Sequence, residues 1–190
     1  MNVRTTRSRL TGGVCAALVT GALALGATPA SASASDGYVS GGSSVYDDFG
    51  DEGTLSSSSH SSSNAGCLWQ VILYADGAIE QNGTRFDVSD IDGHFGKNTW
   101  FATRNWQKRH GVTVDGAVGG KTFGKADGKY RRDPGGKLEV VGKKPNGTLI
   151  VRYHGLVHAF ELQRPVNGRY SFTVPAGAVR TAGYDYNSCD

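Results

Sequence analysis

Ile91-Asp92-Gly93-His94-Phe95-Gly96-Lys97-Asn98-Thr99 is echoed 23 residues later by Val114-Asp115-Gly116-Ala117-Val118-Gly119-Gly120-Lys121-Thr122. Both stretches read apolar, Asp, Gly, any residue, apolar, Gly, two residues, Thr. A Trp-Gln pair stands ahead of each, Trp69-Gln70 and Trp106-Gln107. Self-similarity of this kind marks a structural unit used more than once. The residue roles describe a turn that launches a helix. The Asp carboxylate accepts backbone N–H groups of a tight turn, and the next Gly admits a positive φ. Phe95 or Val118 plugs a small core, and Gly96 or Gly119 allows a close approach. Thr99 or Thr122 is placed to cap the helix that follows.

Helical patterning surrounds the two copies. Upstream, Cys67–Tyr74 is apolar, with Trp69, Ile72 and Leu73 on one face, the spacing of a helix packed on one side. The β-branched pair Val71-Ile72 leaves a strand as the competing reading. Asn64 is the expected cap and Gly77 the expected stop; residues 77–90 read as a polar loop. After Thr99 the run Trp100–His110 predicts a helix ended by Gly111, with Ala102 and Trp106 on one side and Arg104, Lys108 and Arg109 as a basic flank. A third, short helix is expected from Phe123, weakened by Gly124 and Gly128.

From Lys137 the period changes. Lys137–Gly142, Thr148–Tyr153, Leu156–Gln163 and Arg169–Val174 are rich in Val, Leu, Tyr and Phe. Asn146-Gly147 and Asn167-Gly168 are hairpin signals, and His154-Gly155 is a weaker one. Together they predict a four-stranded antiparallel meander, preceded by a boundary at Asp133-Pro134-Gly135-Gly136. A sheet of this size is marginal alone, so it is expected to pack on the helices. The fold class expected is α+β.

The N-terminus carries Arg4, Arg7 and Arg9, then an apolar run from Val14 to Leu25, then Ala30-Ser31-Ala32-Ser33-Ala34 with two A-x-A sites. That order is a signal peptide over 1–34, and the apolar run is too short for a membrane span. Without its three arginines, the 20 basic and 17 acidic residues of the whole chain balance. Residues 35–66, rich in Ser and Gly, with five carboxylates and no Lys or Arg, read as a disordered acidic linker. Residues 97–152 instead hold 13 Lys and Arg against 4 Asp and Glu, a balance that suits an anionic polymer or an ordinary solvated basic face. Two cysteines lie outside the leader, Cys67 and Cys189. In an exported chain they are expected to pair and tie the C-terminus to the first helix.

The stretch 67–126 resembles the peptidoglycan-binding domain of the three-helix type found beside bacterial cell-wall hydrolases. The matching residues are Trp69, Gln70, Leu73 and Gly77; then Asp92, Gly93, Phe95, Gly96, Thr99, Ala102, Trp106, Gln107, Gly111 and Val112; then Asp115, Gly116, Val118, Gly119, Thr122 and Phe123. The departures are Thr103, where an apolar residue is usual, a longer loop 78–90, and Gly124 and Ala126, where the family has a leucine. The resemblance implies a small three-helix bundle over 67–130; the β-rich region read over 131–190 lies outside it. It implies a non-catalytic module that holds a protein on the wall, with peptidoglycan glycan or stem peptide as partner. Asp92, Gly93, Gly96, Thr99, Asp115, Gly116, Gly119 and Thr122 are read as structural. The candidates for ligand contact are Trp100, Phe101, Arg104 and Phe123: an aromatic ring stacks on a sugar face and an Arg pairs with a carboxylate.

Other chemistry is poorly provided for. His154 and His158 are four apart, about 13 Å on a strand, and no H-E-x-x-H occurs. With Gly93 at the invariant glycine of a calcium loop, the end ligands would be Val88 and Thr99, which do not suit the ion. No metal, cofactor or nucleic acid is expected. The expectation is a secreted, wall-associated monomer with no membrane contact after leader removal. Two rivals stand beside it. One is a small wall hydrolase using Glu139, Glu161, His154 or His158 as acid–base groups. The other is an inhibitor or coat protein whose β region binds another protein.

Overall fold

The computed structural model of the chain describes residues 36–42, 44–128 and 137–189. The signal peptide expected at 1–34 and the boundary expected near 130 lie outside these residues. The described chain contains α1 (Asn64–Ala75), α2 (Lys97–His110) and a single-turn α3 (Gly120–Phe123). Five strands follow: β1 (Leu138–Lys143), β2 (Leu149–His154), β3 (Ala159–Arg164), β4 (Ser171–Thr173) and β5 (Val179–Thr181). They form one antiparallel meander in the order β1-β2-β3-β4-β5. The α+β class is as expected, and the sheet has one strand more than the four expected. The hairpins turn at Asn146-Gly147 and Asn167-Gly168. There the glycines take φ of 86° and 82° and the Asn side chains accept the N–H two residues on. The additional β4–β5 turn is closed by Gly177 at φ 89°.

α1 is the centre of the molecule. Every residue in it except Tyr74 is buried, which is the state of a helix enclosed on all sides rather than one packed on a single face. Ser63, not Asn64, is its N-cap, accepting from Gly66 N at 2.9 Å. The Asn64 side chain instead donates to Thr181 O at 2.9 Å and accepts from Ser188 N at 2.8 Å, tying the helix start to β5 and the C-terminal tail. The sheet lays Leu138, Val151, Tyr153, Leu162, Tyr170 and Phe172 into the same hydrophobic cluster as Leu68, Trp69 and Ile72.

The segment expected to be a disordered linker is built into this core over its described residues. Val39, Phe49 and Leu55 are fully buried. Leu55 pairs with Val118, and Val39 donates to Ala182 O and accepts from Tyr170 N. His60, in the serine tract, has φ 48° and packs against Tyr184, ring centroids 4.8 Å apart and tilted by 53°. The acidic residues of the segment are tied down as well. Asp48 accepts from Tyr170 Oη at 2.6 Å and Arg164 Nη1 at 2.7 Å. Glu52 accepts from Tyr184 Oη at 2.6 Å and Ser40 N at 2.7 Å. Composition understated the order because buried carboxylates with hydrogen-bond partners do the anchoring that large apolar residues do elsewhere.

The expected threonine caps are corrected. α2 and α3 start from Gly96 and Gly119, with no side-chain cap at either. Thr99 lies inside α2 and Thr122 inside α3, and both hydroxyls serve the turns described below. α2 ends at Gly111 in the left-handed region, φ 69°. The backbone of Gly50 crosses α3: a Cβ on Gly120 would strike Gly50 O, and one on Gly124 would meet Gly50 Cα at 2.8 Å. The glycine that departs from the family pattern at 124 thus admits the N-terminal segment.

Candidate functional site

Each Asp-Gly turn is read by the glutamine of the preceding helix. Gln70 Oε1 accepts the N–H groups of Asp92 (3.1 Å) and Gly93 (2.7 Å). Its Nε2 donates to Asp92 Oδ1 (2.8 Å), His94 O (3.0 Å) and Thr99 Oγ1 (3.1 Å). Gln107 does the same for the second copy. Its Oε1 accepts from Asp115 N (3.1 Å) and Gly116 N (2.9 Å). Its Nε2 donates to Asp115 Oδ1 (2.8 Å), Ala117 O (2.8 Å) and Thr122 Oγ1 (3.1 Å). The Asp carboxylate also accepts the N–H of the residue after Gly, at 2.8 Å in one turn and 2.9 Å in the other. Gly93 and Gly116 take φ of 74° and 79°, where any side chain is strained. The polar groups of Asp and Thr are thus largely engaged within the turns, which explains these residues structurally.

The two turns differ in what covers them. The C-terminal tail lies over the first: Asn187 Nδ2 donates to Asp92 O at 2.8 Å, and a Cβ on Gly93 would strike the Asn187 amide. The Cys67–Cys189 disulfide fixes the tail there, joining α1 to the penultimate residue as expected. Among the described residues no hydrogen bond joins the tail to the second turn, which pairs instead with the N-terminal segment through Leu55 and Val118. A Cβ on Gly116 would strike the indole of Trp100, so that ring lies against the turn from the first part of α2.

Trp100 remains 37% exposed, enough to offer a ring to a ligand. The Arg104 guanidinium stacks 4.9 Å from its centroid, while Arg104 Nη1 donates to Val114 O at 3.0 Å, next to Asp115. Two of the candidates from sequence, Trp100 and Arg104, therefore come together beside the second turn. Phe101 is half-buried on the same helix. Phe123 is corrected: it is fully buried, edge-on to Phe49 at 5.4 Å and Trp69 at 5.6 Å. It plugs the core beneath α3 and is not available to a ligand.

Of the groups named for a hydrolase, Glu139, His154 and Glu161 lie on one face of β1–β3, and His158 stands apart. His154 Nε2 lies 2.8 Å from Glu139 Oε2 on β1–β2. Glu161 faces Arg152 at 3.4 Å on β2–β3, and in register Arg152 stands between Glu139 and Glu161. His158 stacks on Tyr74, 4.3 Å between centroids.

Sequence reading missed Asp76, the C-cap of α1 and a fully buried hub. It accepts from Trp106 Nε1 (2.6 Å), Lys137 Nζ (2.6 Å), Tyr153 Oη (3.0 Å) and Leu156 N (3.1 Å). Burial pushes its carboxyl up, but His110, Lys137 and Trp106 together outweigh burial and hold it well below the usual carboxylate range. His110 Nε2 lies 3.6 Å from Asp76 Oδ2. Asp76 and Thr103 accompany the two tryptophans: Trp106 donates to Asp76, and Trp69 Nε1 donates to Thr103 Oγ1 at 2.9 Å. A buried indole N–H requires an acceptor, which accounts for the polar residue at 103.

No curated protein and no solved structure matches the chain. Residues 79–126, which hold both Asp-Gly turns, α2 and α3, match the family described as putative peptidoglycan binding domain.

Proposed function

We propose that this chain is an exported, non-catalytic protein that holds peptidoglycan through the surface beside its second Asp-Gly turn. The observation carrying this reading is the pairing of the Trp100 ring with Arg104 beside that turn. An indole face suits the apolar face of a sugar, and a guanidinium suits a stem-peptide carboxylate. Lys108 is exposed one turn beyond Arg104 on α2 and favours an anionic polymer. No helix among the described residues is long and apolar enough to cross a membrane.

Titration of the leaderless protein with soluble muropeptides tests the site. Binding to wild type, weakened about tenfold or more in Trp100→Ala, is the expected result; binding unchanged by Trp100→Ala and by Arg104→Ala would overturn the assignment. Absence of clearing in a suspension of purified walls is expected of a non-enzyme, and clearing would restore the hydrolase. Mass spectrometry of protein from culture medium should show a start after Ala32 or Ala34.

A further inference from the structure

A cleft of about 400 Å³ opens between α1 and strands β3 and β4, within the range of small-ligand sites, roughly 300–1,000 Å³. None of its lining residues falls in the segment 79–126. Its walls carry Val71 and Tyr74 from α1, His158, Phe160 and Glu161 from β3 and the turn before it, and Thr173 from β4. Tyr74 is the one residue of α1 that is not buried. Its ring and that of His158 are nearly parallel, 9° apart.

The β2–β3 turn is seated on the end of α1, so the cleft is preformed. Val157 N and His158 N both donate to Ala75 O, at 2.9 and 3.0 Å, and Leu156 N donates to Asp76 Oδ1 at 3.1 Å. A Cβ on Gly155 would strike Ala75 O, so glycine there permits the seating. Phe160 is held by stacking on the buried Tyr153 at 5.0 Å. Rigid rings lose little freedom when a ligand arrives.

We propose that this cleft binds a neutral carbohydrate, one or two pyranose rings of a glycan, independently of the Trp100 surface. Pyranoses present apolar C–H faces and hydroxyl edges. The aromatic and aliphatic walls suit the faces, and the Glu161 carboxylate and the Thr173 and Tyr74 hydroxyls suit the edges. Arg152 lies 3.4 Å from Glu161 and offsets its charge, so the cleft favours a neutral ligand over a cation.

The test is titration of the isotope-labelled leaderless protein with two neutral probes, the N-acetylglucosamine trimer and cellotriose, followed by amide chemical shifts. Saturable shifts centred on Tyr74, His158 and Glu161 are expected with at least one probe. Tyr74→Ala should weaken binding roughly fivefold to tenfold, Glu161→Gln should weaken it measurably, and Trp100→Ala should leave it unchanged. Glu161 is exposed, so its variant decides the matter if Tyr74→Ala is misfolded. No saturable shift at Tyr74, His158 and Glu161 with either probe, or binding there unaltered by Glu161→Gln and by any folded Tyr74→Ala, would overturn the proposal. Muropeptide binding lost in Trp100→Ala but kept in Tyr74→Ala belongs to the other surface, so the two readings fail separately.

Discussion

Gln107 accepts the backbone N–H of Gly116 at 2.9 Å, and that bond belongs to a set reproduced group for group by Gln70 at Gly93. The glutamine is the third part of the repeated motif, supplied each time by the helix before the turn. Replacing either by Ala would strip the N–H groups of its Asp and Gly of their acceptor, the glycine's at a buried position. We expect each variant to lose roughly 2–4 kcal/mol of stability in denaturant unfolding. The functional effects should differ. Gln107→Ala loosens the turn under Trp100 and should weaken wall binding in the folded fraction, whereas Gln70→Ala loosens the tail-covered turn and should leave it intact.

Two buried carboxylates set the pH dependence against a third. Burial pushes Glu52 and Asp127 up to about 7. Tyr184 and Ser40 N oppose the rise at Glu52, and Phe49 N opposes it at Asp127, while Asp48 and Asp51 add to it at both and Asp47 adds to it at Asp127. A raised carboxyl contributes stability fully below its unfolded pKa, about 4, and loses that contribution as pH climbs through about 7. Asp76, held below the usual range, works the other way and loses its contribution as pH falls below about 4. Stability should therefore peak near pH 4 and fall as pH rises toward 8 by on the order of 1–3 kcal/mol. Unfolding midpoints across pH check this, and Glu52→Gln should flatten the alkaline limb. A limb unchanged in Glu52→Gln would contradict the assignment.

Reduction of the Cys67–Cys189 bridge should destabilise the protein by about 3–5 kcal/mol in the chain-entropy account, given a loop of 122 residues. Intact mass of the native protein should rise by two hydrogens on reduction. Amide exchange in the reduced form should quicken first around Asp92 and Gly93, since the tail that covers them is no longer tied to α1.

The patterned parts of the chain were legible in the sequence. The doubled turn, α2 and four of the five strands follow from motif, period and Asn-Gly turns, and the bridge follows from the two cysteines that lie outside the leader-like segment. The rest lacked such signals. Val39, Val45, Phe49 and Leu55 are buried, but they are scattered among Gly and Ser with no period, so the segment reads as a linker. β5 has three residues, too few for alternation to register. Phe123 follows Thr122 much as Trp100 follows Thr99, yet one is core and the other surface. The difference is Phe49, brought in by the segment the composition had written off. The Trp-Gln pairs were visible, but Gln70 precedes its Asp by 22 residues and Gln107 by 8, so unequal spacing hid their shared role.

Co-sedimentation of the leaderless protein with purified peptidoglycan sacculi tests the central claim most directly, with wild type beside Trp100→Ala combined with Arg104→Ala. The account predicts that wild type pellets saturably and that the double variant, with unchanged circular dichroism, stays largely in the supernatant, its affinity reduced about tenfold or more. Wild-type protein that remains in the supernatant at every sacculus concentration would contradict it.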